Sequence, residues 1–83
     1  MATVAIIAGV AIRFHWNEHP PPHFHAELAE DTAVIDIRTL KLIRGSLPAG
    51  KLREVVKWAS TRQAALEEAW LASSDKRKPV KIQ

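Results

Sequence analysis

Polar and apolar residues alternate along the first half of the chain, which is the pattern of β-strands that bury one face. The clearest case begins at His23, where a histidine, a phenylalanine, a second histidine, an alanine, a glutamate and a leucine follow one another. The predicted strands are Val4–Ala8, Val10–Trp16, His23–Leu28 and Ala33–Arg38. Short polar connections between successive strands favour an antiparallel meander.

The period of the apolar positions becomes helical after Gly45. One stripe of a helix from about Ser46 to Ser73 contains Leu52, Val55, Val56, Ala59, Leu66 and Trp70. Ser46 is suited to cap this helix, and Pro48 is suited to its first turn. We therefore expect an α+β fold of the order ββββα, in which a single long C-terminal helix packs on one face of a four-stranded antiparallel meander and a short basic extended tail follows.

The composition indicates one small domain without disulfide bonds. The chain has 83 residues, of which 47% are hydrophobic, and it contains no cysteine. Disulfides and thiolate metal sites are therefore excluded, and a small domain without disulfides favours a reducing, cytoplasmic setting. The apolar run from Val4 to Ile12 is too short to span a bilayer, so we expect no membrane contact. Residues 1–74 are predicted to form the single ββββα domain, and residues 75–83 a basic tail.

This tail accounts for the whole formal charge of the chain, which is +3. Its charged residues are Asp75, Lys76, Arg77, Lys78 and Lys81. Clustered cations suit RNA, but no aromatic residue lies between these charges. Pro79 prevents a helix from continuing, and the apolar residues Val80 and Ile82 alternate with Lys81, which suits a segment that adds a strand to another chain. The tail is therefore predicted to be an attachment segment outside the core.

One face of the predicted sheet collects charged and histidine side chains. Turn lengths place His15 opposite His25 and Arg13 opposite Glu27. They also place His25 opposite Asp36 and His23 opposite Arg38. The polar face then carries Arg13, His15, His23, His25, Glu27, Asp36 and Arg38. Because a shift of one residue would exchange the two faces of a strand, agreement across three strands favours a real surface.

Acid–base cleavage of RNA is one chemistry that fits this face. Two histidines can act as general base and general acid near neutral pH, and arginines can stabilise a charged phosphate. The candidate catalytic residues are His23, His25, His15, Arg13 and Arg38. This mechanism needs no metal ion, but it does need an open pocket for the phosphate.

A metal site and an ordinary wet surface are the other two interpretations. Histidine and carboxylate side chains are suitable ligands for zinc. The candidate ligands are His15, His23, His25 and Asp36. Alternatively, the charged residues form surface ion pairs of little energetic value on a solvated sheet face. The residues alone leave these interpretations open, so no cofactor is assigned, and zinc is the candidate if a metal is bound.

Val4 and Ile6 are predicted to project onto the same polar side of the sheet. Exposed β-branched residues beside a polar cluster are typical of the margin of a contact surface. A partner chain or a second copy that covers the histidines would explain both features. We therefore expect a protein partner or a homo-oligomer.

Several motifs resemble those of one family of small bacterial proteins. The first runs from Asn17 to His25 and reads Asn-Glu-His-Pro-Pro-Pro-His-Phe-His. The others are Ser46-Leu47-Pro48, Leu66-Glu67-Glu68-Ala69-Trp70 and Lys78-Pro79-Val80-Lys81-Ile82. Together they resemble the family called domain of unknown function 4160 over nearly the whole chain. His19, His23 and His25 are the histidines of this chain that match the family motif.

The resemblance implies a setting rather than a reaction. Members of the family look like components of two-gene modules in the style of toxin–antitoxin pairs. The leading hypothesis is therefore a cytoplasmic bacterial protein that binds the product of an adjacent gene through its histidine-bearing face and its tail. Whether the protein is an enzyme stays open, with ribonuclease activity and metal binding as the alternatives.

Overall fold

The computed structural model describes residues 2–16 and 18–83 and has an α+β fold. Its elements are β1 (Ala2–Ile7), β2 (Val10–Phe14), β3 (His23–Leu28), β4 (Asp31–Asp36), β5 (Leu42–Gly45), α1 (Ala49–Ser60) and α2 (Gln63–Ser74). The strands form an antiparallel sheet in the order β1-β2-β3-β4-β5. The predicted meander is therefore confirmed, whereas the prediction of four strands is wrong. Within the described residues, neither helix has the length and apolarity needed to cross a lipid bilayer.

The fifth strand was missed because it has no buried face. All four residues of β5 are exposed, so its side chains leave no alternating pattern in the sequence. Backbone pairing with β4 holds β5 in place, and the Ser46 N–H extends this pairing by donating to the Thr32 carbonyl at 3.1 Å. A strand at the edge of a sheet is thus formed by hydrogen bonds that carry no side-chain signature.

The predicted single helix is divided at Thr61 and Arg62. The Thr61 hydroxyl and the Arg62 guanidinium both donate to the Trp58 carbonyl, at 3.2 and 3.1 Å. These side chains donate to a carbonyl at the end of α1 that would accept a hydrogen bond from a backbone N–H if the helix were continuous. The apolar stripe continues across the break, with Leu66 and Trp70 buried on α2.

The core lies between the sheet and the two helices, as predicted. Phe24 on β3 is fully buried and lies opposite Ile35 on β4. Ile37, Leu66 and Trp70 are buried as expected, whereas Leu52 and Val56 are only half-buried. Val55 and Ala59, which belong to the same predicted stripe, are fully buried on α1.

The strand register differs from the predicted one by two residues at both interfaces of β3. Arg13 lies opposite His25 rather than Glu27, and His23 lies opposite Asp36 rather than Arg38. The turn between β3 and β4 is formed by Ala29 and Glu30, with Ala29 in the left-handed region at φ 54°, whereas the predicted register assumes a turn at Glu30 and Asp31. An even shift keeps every side chain on its predicted face, so the polar face survives the correction.

β1 departs from its expected alternation because the register shifts between Thr3 and Ala5. This bulge turns Val4 into the core, where 2% of its surface is exposed. The prediction that Val4 projects onto the polar side is therefore wrong. Ile6 lies opposite Ala11 and is 68% exposed.

The end of the tail packs on the domain itself. The Ile82 N–H donates to the Val4 carbonyl at 2.8 Å, and the Ile82 side chain packs against the core. Pro79 is buried, whereas Val80 between them is 83% exposed. The tail therefore follows a fixed path along the edge of β1, and its role in attachment to another chain stays a prediction.

Candidate functional site

Three imidazole rings converge on one carboxylate oxygen, Glu18 Oε1. His25 donates a hydrogen bond to this oxygen from Nε2 at 2.5 Å. His15 Nδ1 lies 3.4 Å from it and His23 Nε2 lies 3.6 Å from it. We call His15, Glu18, His23 and His25 the histidine cluster.

Two elements and the loop between them bring the histidine cluster together. His15 directly follows β2, and Glu18 lies in the connection to β3. His23 and His25 are two positions apart on β3, so both side chains leave the same face of the strand. The Ile37 N–H donates to the Pro22 carbonyl at 3.0 Å, which ties the end of the proline segment to the region after β4. The loop therefore returns Glu18 over the histidines of β3.

The rings of the histidine cluster are closely packed. His15 and His25 are stacked with ring centroids 3.8 Å apart and planes 3° from parallel. His23 meets His25 edge-on at 5.4 Å and contacts the Trp70 ring of α2 at 4.8 Å. Only 7% of His23 and 6% of His25 is exposed. Trp70 is thus both a core residue and one wall of the histidine cluster.

The hydrogen bonds of His23 leave one ring nitrogen free. His23 Nδ1 donates to the Pro21 carbonyl at 2.8 Å, which places the proton of the neutral ring on Nδ1. His23 Nε2 is buried and has no hydrogen-bond partner among the described residues. A lone pair is therefore directed into the cluster, and a backbone carbonyl fixes its direction, as is usual for histidines that bind metals.

The electrostatic environment favours a neutral His15 and an ionised Glu18. Burial is the main cause that lowers the pKa of His15, and the charge of His25 lowers it further, against the opposing effects of Glu18 and Glu27. For Glu18 burial is again the largest effect and would raise the pKa. The hydrogen bond from His25 and the charges of the three histidines outweigh it, so the pKa of Glu18 is lowered. A neutral imidazole and an ionised carboxylate are the forms that bind metal ions.

The other predicted site residues lie outside the histidine cluster. Asp36 Oδ1 accepts hydrogen bonds from the Arg38 and Thr39 backbone N–H groups at 2.7 and 2.9 Å, so this carboxylate shapes the turn after β4. Arg38 is exposed and forms an ion pair with Glu67 on α2 at 3.1 Å. Of the predicted metal ligands, the structure thus unites the three histidines but not Asp36.

Arg13 lies beside the histidine cluster without joining it. Its guanidinium donates to Glu27 Oε1 at 3.0 Å, and Glu27 Oε2 lies 3.9 Å from His15 Nε2. The expected pairing of Arg13 with Glu27 therefore occurs on the diagonal rather than directly across the strands. Arg13 places a positive charge at the edge of the cluster, where Glu27 partly neutralises it.

Glu18 is the candidate site residue that sequence reasoning missed. It lies in a loop, where no period of two or 3.6 residues reveals the direction of a side chain. The available signal was its position between His15 and His23, in a segment that three prolines force to turn. An acidic residue in that turn was a candidate ligand for the histidines on either side.

The spacing of the donor atoms is suited to a single small cation. A zinc ion with ligands at about 2.0–2.1 Å holds tetrahedral donor atoms roughly 3.3 Å apart. The separations of the three histidine nitrogens from Glu18 Oε1 run from 2.5 to 3.6 Å. Donor atoms of His15, Glu18 and His25 all lie within 4.8 Å of one another. This group of three does not include His23, whose Nε2 lies 3.6 Å from Glu18 Oε1.

Comparison with known proteins gives one result. The model of the family described as Domain of unknown function (DUF4160) matches residues 9–71, which is most of the chain. No curated protein and no solved structure matches the chain. All four residues of the histidine cluster lie inside the matched segment. The chain therefore belongs to the DUF4160 family.

Proposed function

We propose that this protein binds one divalent transition-metal ion, with zinc as the first candidate, through the histidine cluster. The convergence of three imidazole nitrogens on Glu18 Oε1 carries the proposal. Three nitrogen donors and one anionic oxygen form a set that zinc, and other metals that accept imidazole, can bind. With His23 as the fourth ligand beside His15, Glu18 and His25, four protein ligands would close a tetrahedral site, which is typical of a structural zinc ion.

The free nitrogen of His23 supports this proposal over an ordinary sheet face. A buried polar atom without a partner costs about 1–3 kcal/mol, so such atoms need an explanation. His23 Nε2 is in that position among the described residues, and it lies 3.6 Å from the carboxylate oxygen at the centre of the cluster. A bound cation would satisfy this lone pair and would offset the negative charge of Glu18.

Burial makes metal-independent RNA cleavage a weaker proposal for the same residues. His23 and His25 are more than nine-tenths buried, and the Glu18 carboxylate occupies the position that a substrate phosphate would need. Two negative groups at one position repel each other, and Arg38, predicted to stabilise the phosphate, is paired with Glu67. These contacts favour cation binding over phosphate binding at the histidine cluster.

Zinc added to the metal-free protein is expected to bind once per chain and to raise the melting temperature. At a free zinc concentration of 100 times the dissociation constant, binding adds about 2.7 kcal/mol to the free energy of unfolding. This corresponds to a rise of about 10 °C or more in the melting temperature of a domain of this size. Calorimetric titration gives the stoichiometry, and thermal unfolding gives the shift. Binding should weaken as the pH falls, because protons compete with the metal ion for the imidazole nitrogens and for the Glu18 carboxylate.

The Glu18→Gln variant should lose at least about 10-fold in zinc affinity, because the amide has nearly the same shape but no charge. His19→Ala is the matched control, since this exposed histidine belongs to the same loop. His25→Ala tests a buried ligand in a second way. Equal zinc affinity in the Glu18 variant and the control would contradict the proposal, as would a melting temperature that zinc does not change.

We also propose that the protein is the partner-binding component of a two-gene module of the toxin–antitoxin type, in a cytoplasmic setting. The resemblance of the family motifs to those of such modules motivates this proposal, and two exposed apolar side chains on or beside the polar face support a contact surface. Ile6 is 68% exposed and lies opposite Ala11 on the polar face, and Trp16, which is 48% exposed, directly follows His15. Apolar side chains at such positions are typical of contact surfaces.

Expression of the chain alone and with the product of its adjacent gene tests the module. We expect the two products to co-purify, and the Ile6→Asp variant to lose the complex while remaining folded, because Ile6 makes few contacts inside the domain. Growth and RNA integrity are measured in parallel, with the His23→Ala/His25→Ala variant as comparison. RNA degradation by the single protein that this double variant abolishes would favour the ribonuclease alternative. Failure of the two products to co-purify would contradict partner binding.

A further inference from the structure

A groove near the tail combines cationic side chains with an exposed aromatic ring. It has a volume of about 630 Å³ and lies between the start of β1, β2 and the tail. Its lining includes Arg13, Trp16, Lys76, Lys78 and Lys81. The other lining residues are Ala2, Thr3 and Pro79, so no acidic residue lines the groove in the described part of the chain.

We infer that this groove binds single-stranded nucleic acid, with Trp16 stacking on a base and the lysines contacting the phosphate backbone. Sites of this kind combine a cationic track with aromatic rings on which bases stack. The tail by itself has only the cations, and the fold supplies the aromatic ring by placing Trp16 beside it. This groove is distinct from the histidine cluster, so the inference goes beyond metal binding.

The lysines are held on a fixed path. Pro79 is buried between Lys78 and Val80, and the Ile82 N–H is bonded to the Val4 carbonyl. The Arg77 N–H also donates to the Ala72 carbonyl at 2.7 Å, so Lys78 and Lys81 both lie between anchored positions rather than on a free chain end. An anchored segment loses less conformational entropy on binding than a flexible one does.

Arg13 also lines the groove, but its charge is partly neutralised. One of its terminal nitrogens is bonded to Glu27, and its Nε is buried. The three lysines therefore make the phosphate contacts. An acidic peptide would use the cations but would gain little from a flat exposed indole, which is why nucleic acid is the favoured occupant.

Binding can be measured by fluorescence anisotropy of the full chain with labelled 12-nucleotide RNA and DNA single strands. The expected result is salt-dependent binding, with a slope of log affinity against log salt of about −2 for three phosphate contacts. Trp16→Ala should weaken binding by about 5- to 150-fold, which is the loss expected for one stacked base. The RNA and DNA strands distinguish the two kinds of backbone.

A matched pair of variants separates a local groove from a general charge effect. Lys78→Ala/Lys81→Ala removes two charges in the groove, and Lys41→Ala/Lys57→Ala removes two exposed charges outside it. We expect the first pair to lose most of the affinity and the second to lose much less. Three results would each overturn the inference: no binding at low salt, equal losses in both pairs, or tighter binding to an acidic peptide of the same length.

Discussion

Replacing Phe24 with alanine is expected to lower the free energy of unfolding by about 3–5 kcal/mol. The ring is fully buried on β3, opposite Ile35 and within the core beneath the helices. Its removal leaves a cavity at the centre of the sheet that close-packed neighbours fill only in part. An 83-residue domain typically has a stability of about 4–12 kcal/mol, so a loss of this size would unfold a domain at the lower end of that range.

Chemical denaturation of the metal-free protein measures this loss. Ile6→Ala is the matched control, because it removes an apolar side chain from the same sheet at a position that is 68% exposed. The control should change the stability by no more than about 0.5 kcal/mol. A Phe24 variant that unfolds at the same denaturant concentration as the control would contradict the placement of this ring in the core. Because Phe24 lies between His23 and His25, we also expect the variant to bind zinc more weakly.

Gly45→Ala is expected to destabilise the protein by about 2–3 kcal/mol. Gly45 has a φ of +77°, and a Cβ there would lie 1.9 Å from the Thr32 carbonyl oxygen. The left-handed conformation costs an alanine about 1–2 kcal/mol. The steric contact would also separate β5 from β4 and break the bond from the Ser46 N–H to Thr32, which is worth about 0.5–1.5 kcal/mol.

Gly9→Ala is the control for the steric part of this effect. Gly9 has a similar φ of +83°, but a Cβ there would meet nothing within 4 Å. This variant should therefore show only the conformational cost, and the difference between the two variants isolates the approach of β5 to Thr32. Hydrogen exchange should report faster opening at Ser46 in the Gly45 variant. Equal destabilisation by both substitutions would show that β5 does not pack as described.

The sequence predicts faces better than it predicts register. His23, His25 and Phe24 fall on their expected sides because the side-chain period of a strand is two, and the error in the turns was an even number of residues. Val4 was predicted on the wrong face because a bulge shifts the register of β1 by one residue, and no local sequence pattern indicates this bulge. β5 was missed for a different reason, since an exposed edge strand is held by its backbone alone.

The site was predictable where it lies on a strand and unpredictable where it lies in a loop. His23 and His25 follow from alternation, and His15 follows from the hairpin between β2 and β3. Glu18 depends on how the loop folds back over the sheet, and Asp36 is drawn away by the backbone N–H groups of the next turn. Whether an acidic side chain contacts the histidines or the backbone N–H groups of its own turn depends on the tertiary structure. The sequence alone therefore did not show that Glu18, and not Asp36, joins the histidine cluster.

The four side chains of the histidine cluster come from residues 15–25, a single uninterrupted segment of the chain. Such a site can be transferred as one piece, in contrast to centres whose ligands are scattered along a sequence. We expect that a designed hairpin carrying this segment would reproduce the donor set but with a lower affinity. Trp70, whose ring packs against His23, belongs to α2 and would be absent from such a hairpin. The segment supplies the ligands, and the remainder of the domain supplies the shelter from water.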